Sequence, residues 1–143
     1  MGQDLVERLP EHPDFAGLLD ALAYDADGLV TVVAQDAANG EVLMVAHANR
    51  EALELSAATG QMHYYSRSRK KLWRKGEVSG HTQRLLRLSF DCDGDAVVAQ
   101  VEQVAGACHL GYRSCFANRW DPAGGYVQAG RKVFDPQTKY GRA

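Results

Sequence analysis

The spacing of hydrophobic and polar positions changes several times along the chain, and each change marks an element. Residues 15–24, FAGLLDALAY, repeat apolar side chains at helical spacing, and Asp14 stands where a cap would. GLVTVVAQD (28–36) and EVLMVAHA (41–48) are instead rich in β-branched residues, with the turn dipeptide Asn39-Gly40 between them, so they predict a hairpin. Asn49 opens a second helix, REALELSAAT (50–59), which Gly60 closes. QMHYYSRS (61–68) alternates as a strand, which sends Tyr64 and Tyr65 to opposite faces. QRLLRLSF (83–90) and AVVAQVEQV (96–104) flank an Asp/Gly-rich turn and predict a second hairpin. After Arg119 the chain is turn-rich with one plausible strand. Two hairpins and two short helices predict an α+β fold, mainly antiparallel.

Length sets the scale of that fold. At 143 residues the chain suits one domain, 1–143, that can fold without disulfides or metal. No repeat or linker divides it. A composition of 45% hydrophobic and 24% charged residues excludes disorder and low-complexity classes. No apolar stretch approaches the roughly 20 residues that span a bilayer. The acidic start, MGQDLVERLPEHPDF, lacks the order of a signal peptide, so a cytoplasmic protein is expected. Its three cysteines, Cys92, Cys108 and Cys115, cannot all pair, which suits reduced thiols available for chemistry or metal.

A net charge of −2 argues against a nonspecific nucleic-acid binder, but the charge is unevenly placed. RSRKKLWRK, residues 67–75, holds six basic residues in nine positions. Such a run is either a solvated loop or an anion site, and Trp73 between its cations could stack on a base.

Two clusters carry metal chemistry. In DCDGDA (91–96), Asp91, Asp93 and Asp95 alternate, so an extended stretch would put their carboxylates on one face. Three converging carboxylates repel, and a hard cation such as Mg²⁺ relieves that. A plain Asp93-Gly94 turn explains the run equally well. A calcium-loop reading, with Glu102 at the twelfth position, fails because Ala96 replaces the required glycine and strands replace the flanking helices. In CHLGYRSCF (108–116), the two cysteines are seven residues apart, a spacing that a helix or a compact loop could bring together. Cys92 could join them from its own chain or from a partner. Three thiolates with an open fourth position suit a zinc ion that ionises water, although free cysteines also serve as small buried apolar residues. His63 and His81 read as hydrogen-bonded structural residues. His109 adjoins a candidate ligand and could shuttle protons.

HYYSRSRKKLWRKGEVSG, DCDGDA and ACHLGYRSCF, in this order and spacing, resemble the phosphoribosyl-AMP cyclohydrolase family of histidine biosynthesis, with NREAL (49–53) as a further matching block. The resemblance runs from about residue 28 to 119 and leaves 120–143 as a C-terminal tail. It implies a homodimer that hydrolyses the N1–C6 bond of the adenine ring in phosphoribosyl-AMP. It further implies Zn²⁺ on Cys92, Cys108 and Cys115, with Cys92 supplied by the neighbouring subunit, and Mg²⁺ on Asp91, Asp93 and Asp95. The short chain leaves no room for the pyrophosphohydrolase domain fused to some members, so a single activity is expected. Two positions depart from the family pattern. Leu110 stands where threonine is usual in CHTG, and His47 stands in the block usually like A-(Tyr/Phe)-Met-N.

These readings combine into an expected mechanism in which zinc-bound hydroxide attacks C6, His109 relays protons, and Ser66, Arg67, Ser68, Arg69 and Lys75 hold a phosphate beside Trp73. A zinc base deaminase is the nearest alternative enzyme, but its H-x-E and P-C-x-x-C signatures are absent. A nucleic-acid module built on RSRKKLWRK leaves the cysteines and aspartates unexplained. The expected partner is therefore a small molecule, with neither nucleic acid nor membrane.

Overall fold

A computed structural model describes residues 4–137. Its centre is a four-stranded sheet in the order β2-β1-β6-β5, formed by β1 (Val30–Asp36), β2 (Val42–Ala48), β5 (Gln83–Phe90) and β6 (Ala96–Gln103). Both predicted hairpins, β1–β2 and β5–β6, form and are antiparallel. They join along β1 and β6, which run parallel with Val32 opposite Val97. This parallel seam has no local sequence signal. Along β1, Val30, Val32, Ala34 and Asp36 are buried in strict alternation, and β6 answers with Val97, Ala99, Val101 and Gln103. One continuous apolar face results, and covering it brings the hairpins together.

Among the described residues, three helices, not the two expected, accompany the sheet. The extra one is a single turn, α1 (Leu5–Arg8), too short for periodicity to reveal. Leu5 is buried, and its amide donates to Cys92 O at 2.7 Å, so α1 packs on the β5–β6 turn. Helix α2 (Phe15–Ala21) is capped by Asp14, whose side chain accepts from Gly17 N. It stops before the predicted residue 24 because Leu22 is already extended. Helix α3 (Arg50–Thr59) has both predicted ends: Asn49 accepts from Ala52 N, and Gly60 at φ 76° donates to Ser56 O.

The predicted strand at 61–68 is β3 (His63–Ser66), and its antiparallel partner is β4 (Lys71–Arg74), inside the basic run. Tyr64 is fully buried and donates to Gln83 Oε1 at 2.6 Å, while Tyr65 faces the opposite way and is only half-buried, as the alternation requires. Among the described residues, the C-terminal part holds two strands where one was expected, β7 (Asn118–Asp121), which begins just before the tail, and β8 (Gly125–Gln128), paired as a hairpin. Among the described residues, no helix is long and apolar enough to cross a membrane.

Candidate active site

The basic run forms the tip of a hairpin and its second strand, β4, which pairs with β3. Tyr64 pairs with Trp73 across β3–β4, their ring centroids 5.1 Å apart, and this anchors the hairpin in the core. Its exposed tip carries Arg67, Ser68, Arg69 and Lys70. A cleft of about 530 Å³ opens on one side, lined by Ser66, Ser68, Arg69, Trp73, Lys75 and His109, together with the turn 76–79. A second, of about 570 Å³, shares Ser66, Ser68 and Trp73 and adds Arg67, Tyr65 and His47. Every basic-run residue and hydroxyl singled out from the sequence therefore lines one of two clefts that share a wall. His47, noted only as a departure, lines the second, where burial and the Arg67 charge push its pKa down against the pull of Asp25.

Cys108 and Cys115 converge through a compact loop, not a helix. Within it Cys108 N donates to Tyr112 O at 3.2 Å, and Gly111 N donates to Cys108 O at 3.1 Å. Cys115 N donates to Leu43 O at 2.7 Å, which fastens the loop's second half to β2. The two thiols lie near enough to bear on each other's ionisation. Burial and the neighbouring Cys108 push the Cys115 thiol up to about 11 despite the nearby Lys75 ammonium. Lys75 in turn is buried enough to lower its pKa, against the attraction of both sulfurs, and its Nζ donates to Ala107 O at 2.6 Å. Two soft donors that repel each other as anions are the donor set a thiophilic dication would relieve.

Cys92 is elsewhere in the chain. It lies in the β5–β6 turn, before β6 begins, whereas Cys108 follows the end of β6. Eight strand residues at roughly 3.3 Å each hold those ends about 23 Å apart. Sulfurs bound to one zinc lie no more than about 4.6 Å apart. Among the described residues the three thiols of one chain form no cluster within reach of one ion, which closes the option that Cys92 joins the other two within its own chain.

Asp91, Asp93 and Asp95 do converge, with ligand oxygens all within 4.8 Å of one another. The cause is a turn and not an extended face, since Gly94 sits at φ 77° and Asp91 Oδ1 accepts from the amides of Gly94, Asp95 and Ala96. Partial desolvation opposes ionisation of Asp91, but a hydrogen bond from Asp95 and those amides outweigh it and hold its pKa down. Asp95, bonded to Asp91 and repelled by it, is raised. Hard oxygens in this arrangement fit a hydrated dication such as Mg²⁺. Flanking strands, with Glu102 paired to Arg84 at 2.7 Å, exclude the calcium-loop reading.

His63 Nδ1 lies 2.8 Å from Gln61 O, and His81 is buried with its ring against Phe134 at 4.4 Å, so both are packed into the fold. Sequence reasoning missed Arg113. Lying between the two cysteines, it donates to Gln103 O, to Ala105 O and, at 2.6 Å, to buried Asp36 Oδ2. A basic residue inside a cysteine motif carries no signal of a partner 77 positions away.

Known proteins match this chain along most of its length. The family model described as Phosphoribosyl-AMP cyclohydrolase matches residues 44–117, which hold both clefts, the aspartate turn and all three cysteines. The chain is similar to the phosphoribosyl-AMP cyclohydrolase of Chromobacterium violaceum, 53% identical over 87% of this chain and 95% of the relative. It is also similar to those of Alkalilimnicola ehrlichii, 50% identical over 99% and 100%, and Methanoregula boonei, 50% identical over 85% and 95%.

Proposed function

This chain belongs to the phosphoribosyl-AMP cyclohydrolase family, and on that premise we propose that it opens the adenine ring of phosphoribosyl-AMP at N1–C6 for histidine biosynthesis. The observation that carries the reading is a cleft walled by the basic hairpin and lined by Lys75 and His109, with the Cys108–Cys115 pair close to the Lys75 ammonium. Cys108 and Cys115, with Cys92 of a second copy, hold Zn²⁺, which when bound supplies the acidity that ionises a water near neutral pH. His109, exposed on the cleft wall, moves protons between solvent and the ring nitrogens. Trp73 stacks on the base. Its place in the wall common to both clefts suits a substrate with a phosphate at each end.

Arg69 and Lys75 with Ser66 and Ser68 hold one phosphate, and Arg67 with His47 in the second cleft holds the other. Asp91, Asp93 and Asp95 bind Mg²⁺. The separation of the sulfurs supports a homodimer, in which a second chain would supply each zinc site with its third sulfur. Leu110, Phe116, Trp120 and Tyr126, all exposed on or just after the cysteine loop, support a partner covering that surface.

Incubating the purified protein with phosphoribosyl-AMP and following purine absorbance tests this reading: ring opening should occur and should stop with a zinc chelator. Undiminished turnover in zinc-free protein refutes the metal role. Mixing inactive Cys92→Ser with inactive Cys108→Ser chains should restore activity, since one mixed site regains all three thiolates. No recovery after verified subunit exchange refutes the shared site.

A further inference from the structure

We propose that residues 129–134 form a strap that positions the Cys108–Cys115 thiol pair, so that the tail, outside the matched family segment, is part of the site's machinery. The strap lies antiparallel along the cysteine loop, joined to it by one isolated bridge and flanking backbone hydrogen bonds. Arg113 N donates to Arg131 O at 2.8 Å, Val133 N to Gly111 O at 2.8 Å and Ala129 N to Ala117 O at 2.8 Å, while Tyr112 and Lys132 form an antiparallel bridge. These bonds fall on residues 111, 112, 113 and 117, between and just beyond the two cysteines.

Close approach is built in by glycine on both sides. A Cβ on Gly111 would lie 2.5 Å from Phe134 O, and one on Gly130 would lie 2.3 Å from Ala117 Cβ. A Cβ on Gly106 would lie 2.8 Å from Val133 Cγ2. No side chain fits between loop and strap at those points, so the backbones register directly on each other. The strap's far end is pinned in turn, because the Phe134 ring packs edge-on against His81, which is 5% exposed. Cys108 and Cys115 themselves receive no strap bond. Their amides bond to Tyr112 O and Leu43 O, so the strap reaches the sulfurs only through the loop's shape.

The test uses the full chain with Val133→Pro, which deletes the amide that bonds to Gly111 O, and with Phe134→Ala, which frees the strap's end should the proline variant fail to fold. Hydrogen exchange in metal-free protein is read at the Cys108 and Cys115 amides, and zinc affinity by competition with a chromophoric chelator. Exchange at both amides should accelerate about tenfold while β1 and β6 amides keep their protection. Zinc affinity should fall about 10- to 100-fold, the range for residues that orient metal ligands. Leu53→Ala, a core truncation on α3, should lower global stability yet leave zinc affinity unchanged.

Unaltered exchange at the two amides, or unaltered zinc affinity despite faster exchange, overturns the strap. Equal loss of affinity in Leu53→Ala overturns it as well, since general destabilisation would then explain the effect. The metal arm rests on the zinc reading above, and the exchange arm does not. Faster exchange in a protein whose parent binds no zinc would refute that reading and leave the strap standing.

Discussion

Replacing Asp36 by Asn tests how the cysteine loop is held from beneath. Asp36 is 6% exposed and accepts from Arg113 Nη2 at 2.6 Å, while its other oxygen accepts from Ala38 N at 2.9 Å. The amide keeps the shape and most of the hydrogen bonds but leaves the Arg113 guanidinium, 15% exposed, without a counter-charge. Breaking a buried pair from one side costs about 3–5 kcal/mol, and the residual solvent contact here favours the lower end, about 3 kcal/mol. Unfolding entropy for a chain of this length is about 0.3 kcal/mol/K, so the melting temperature should fall by about 10 °C.

The sign of the pH dependence follows from Asp36 itself. Burial raises its pKa, but the Arg113 hydrogen bond, the Arg113 charge and the amides of Ala38 and Asn39 together outweigh this and hold it below the ordinary carboxylate value. Its contribution is therefore complete above the unfolded pKa of about 3.9 and is lost as pH falls through the folded value. Urea unfolding at fixed protein concentration should show the full deficit at pH 7 and a shrinking one below about pH 4. The double variant Asp36→Asn/Arg113→Met should be less destabilised than the sum of the singles. A deficit under about 0.5 kcal/mol at pH 7, typical of surface sites, would refute the reasoning. So would a deficit unchanged at pH 3.

Three further outcomes are expected. In metal-free protein, iodoacetamide should modify Cys115 slowly at pH 8 and about tenfold faster per pH unit up to pH 10, because its thiol is pushed up to about 11; a flat profile by mass spectrometry would contradict the paired-thiol geometry. Gly76→Ala should destabilise by about 1–3 kcal/mol and raise the substrate KM, since Gly76 has φ 84° and an added Cβ would lie 2.6 Å from the His81 carbonyl carbon; wild-type stability in thermal melts would contradict it. Asp93→Asn should raise the Mg²⁺ concentration needed for half-maximal turnover several-fold, and an unshifted titration would detach the aspartate turn from activity.

The elements were legible where their cause is local. Asn49 and Gly60 bound α3, and the Tyr64/Tyr65 alternation buries one ring and turns the other outward, because capping and pleating act between near neighbours. Extended alternation misjudged the aspartates. They do converge, but through the amides that one Asp91 oxygen collects in a turn. Helix α1 and the second tail strand escaped notice because their stability comes from what they pack on, the β5–β6 turn and each other.

By itself, the sequence determined the chemical inventory and much of its local scaffold: three thiols, three clustered carboxylates, a basic hairpin and a histidine beside a cysteine. Only the tertiary structure decided who meets whom. It joined the hairpins through the parallel β1–β6 seam, set Cys92 at one end of β6 and the other two thiols beyond the opposite end, and placed Asp36 under Arg113. The reason is that capping, alternation and turn formation are settled over a few residues of chain. The distance between two sulfurs depends instead on burying an apolar face that no single segment can cover alone.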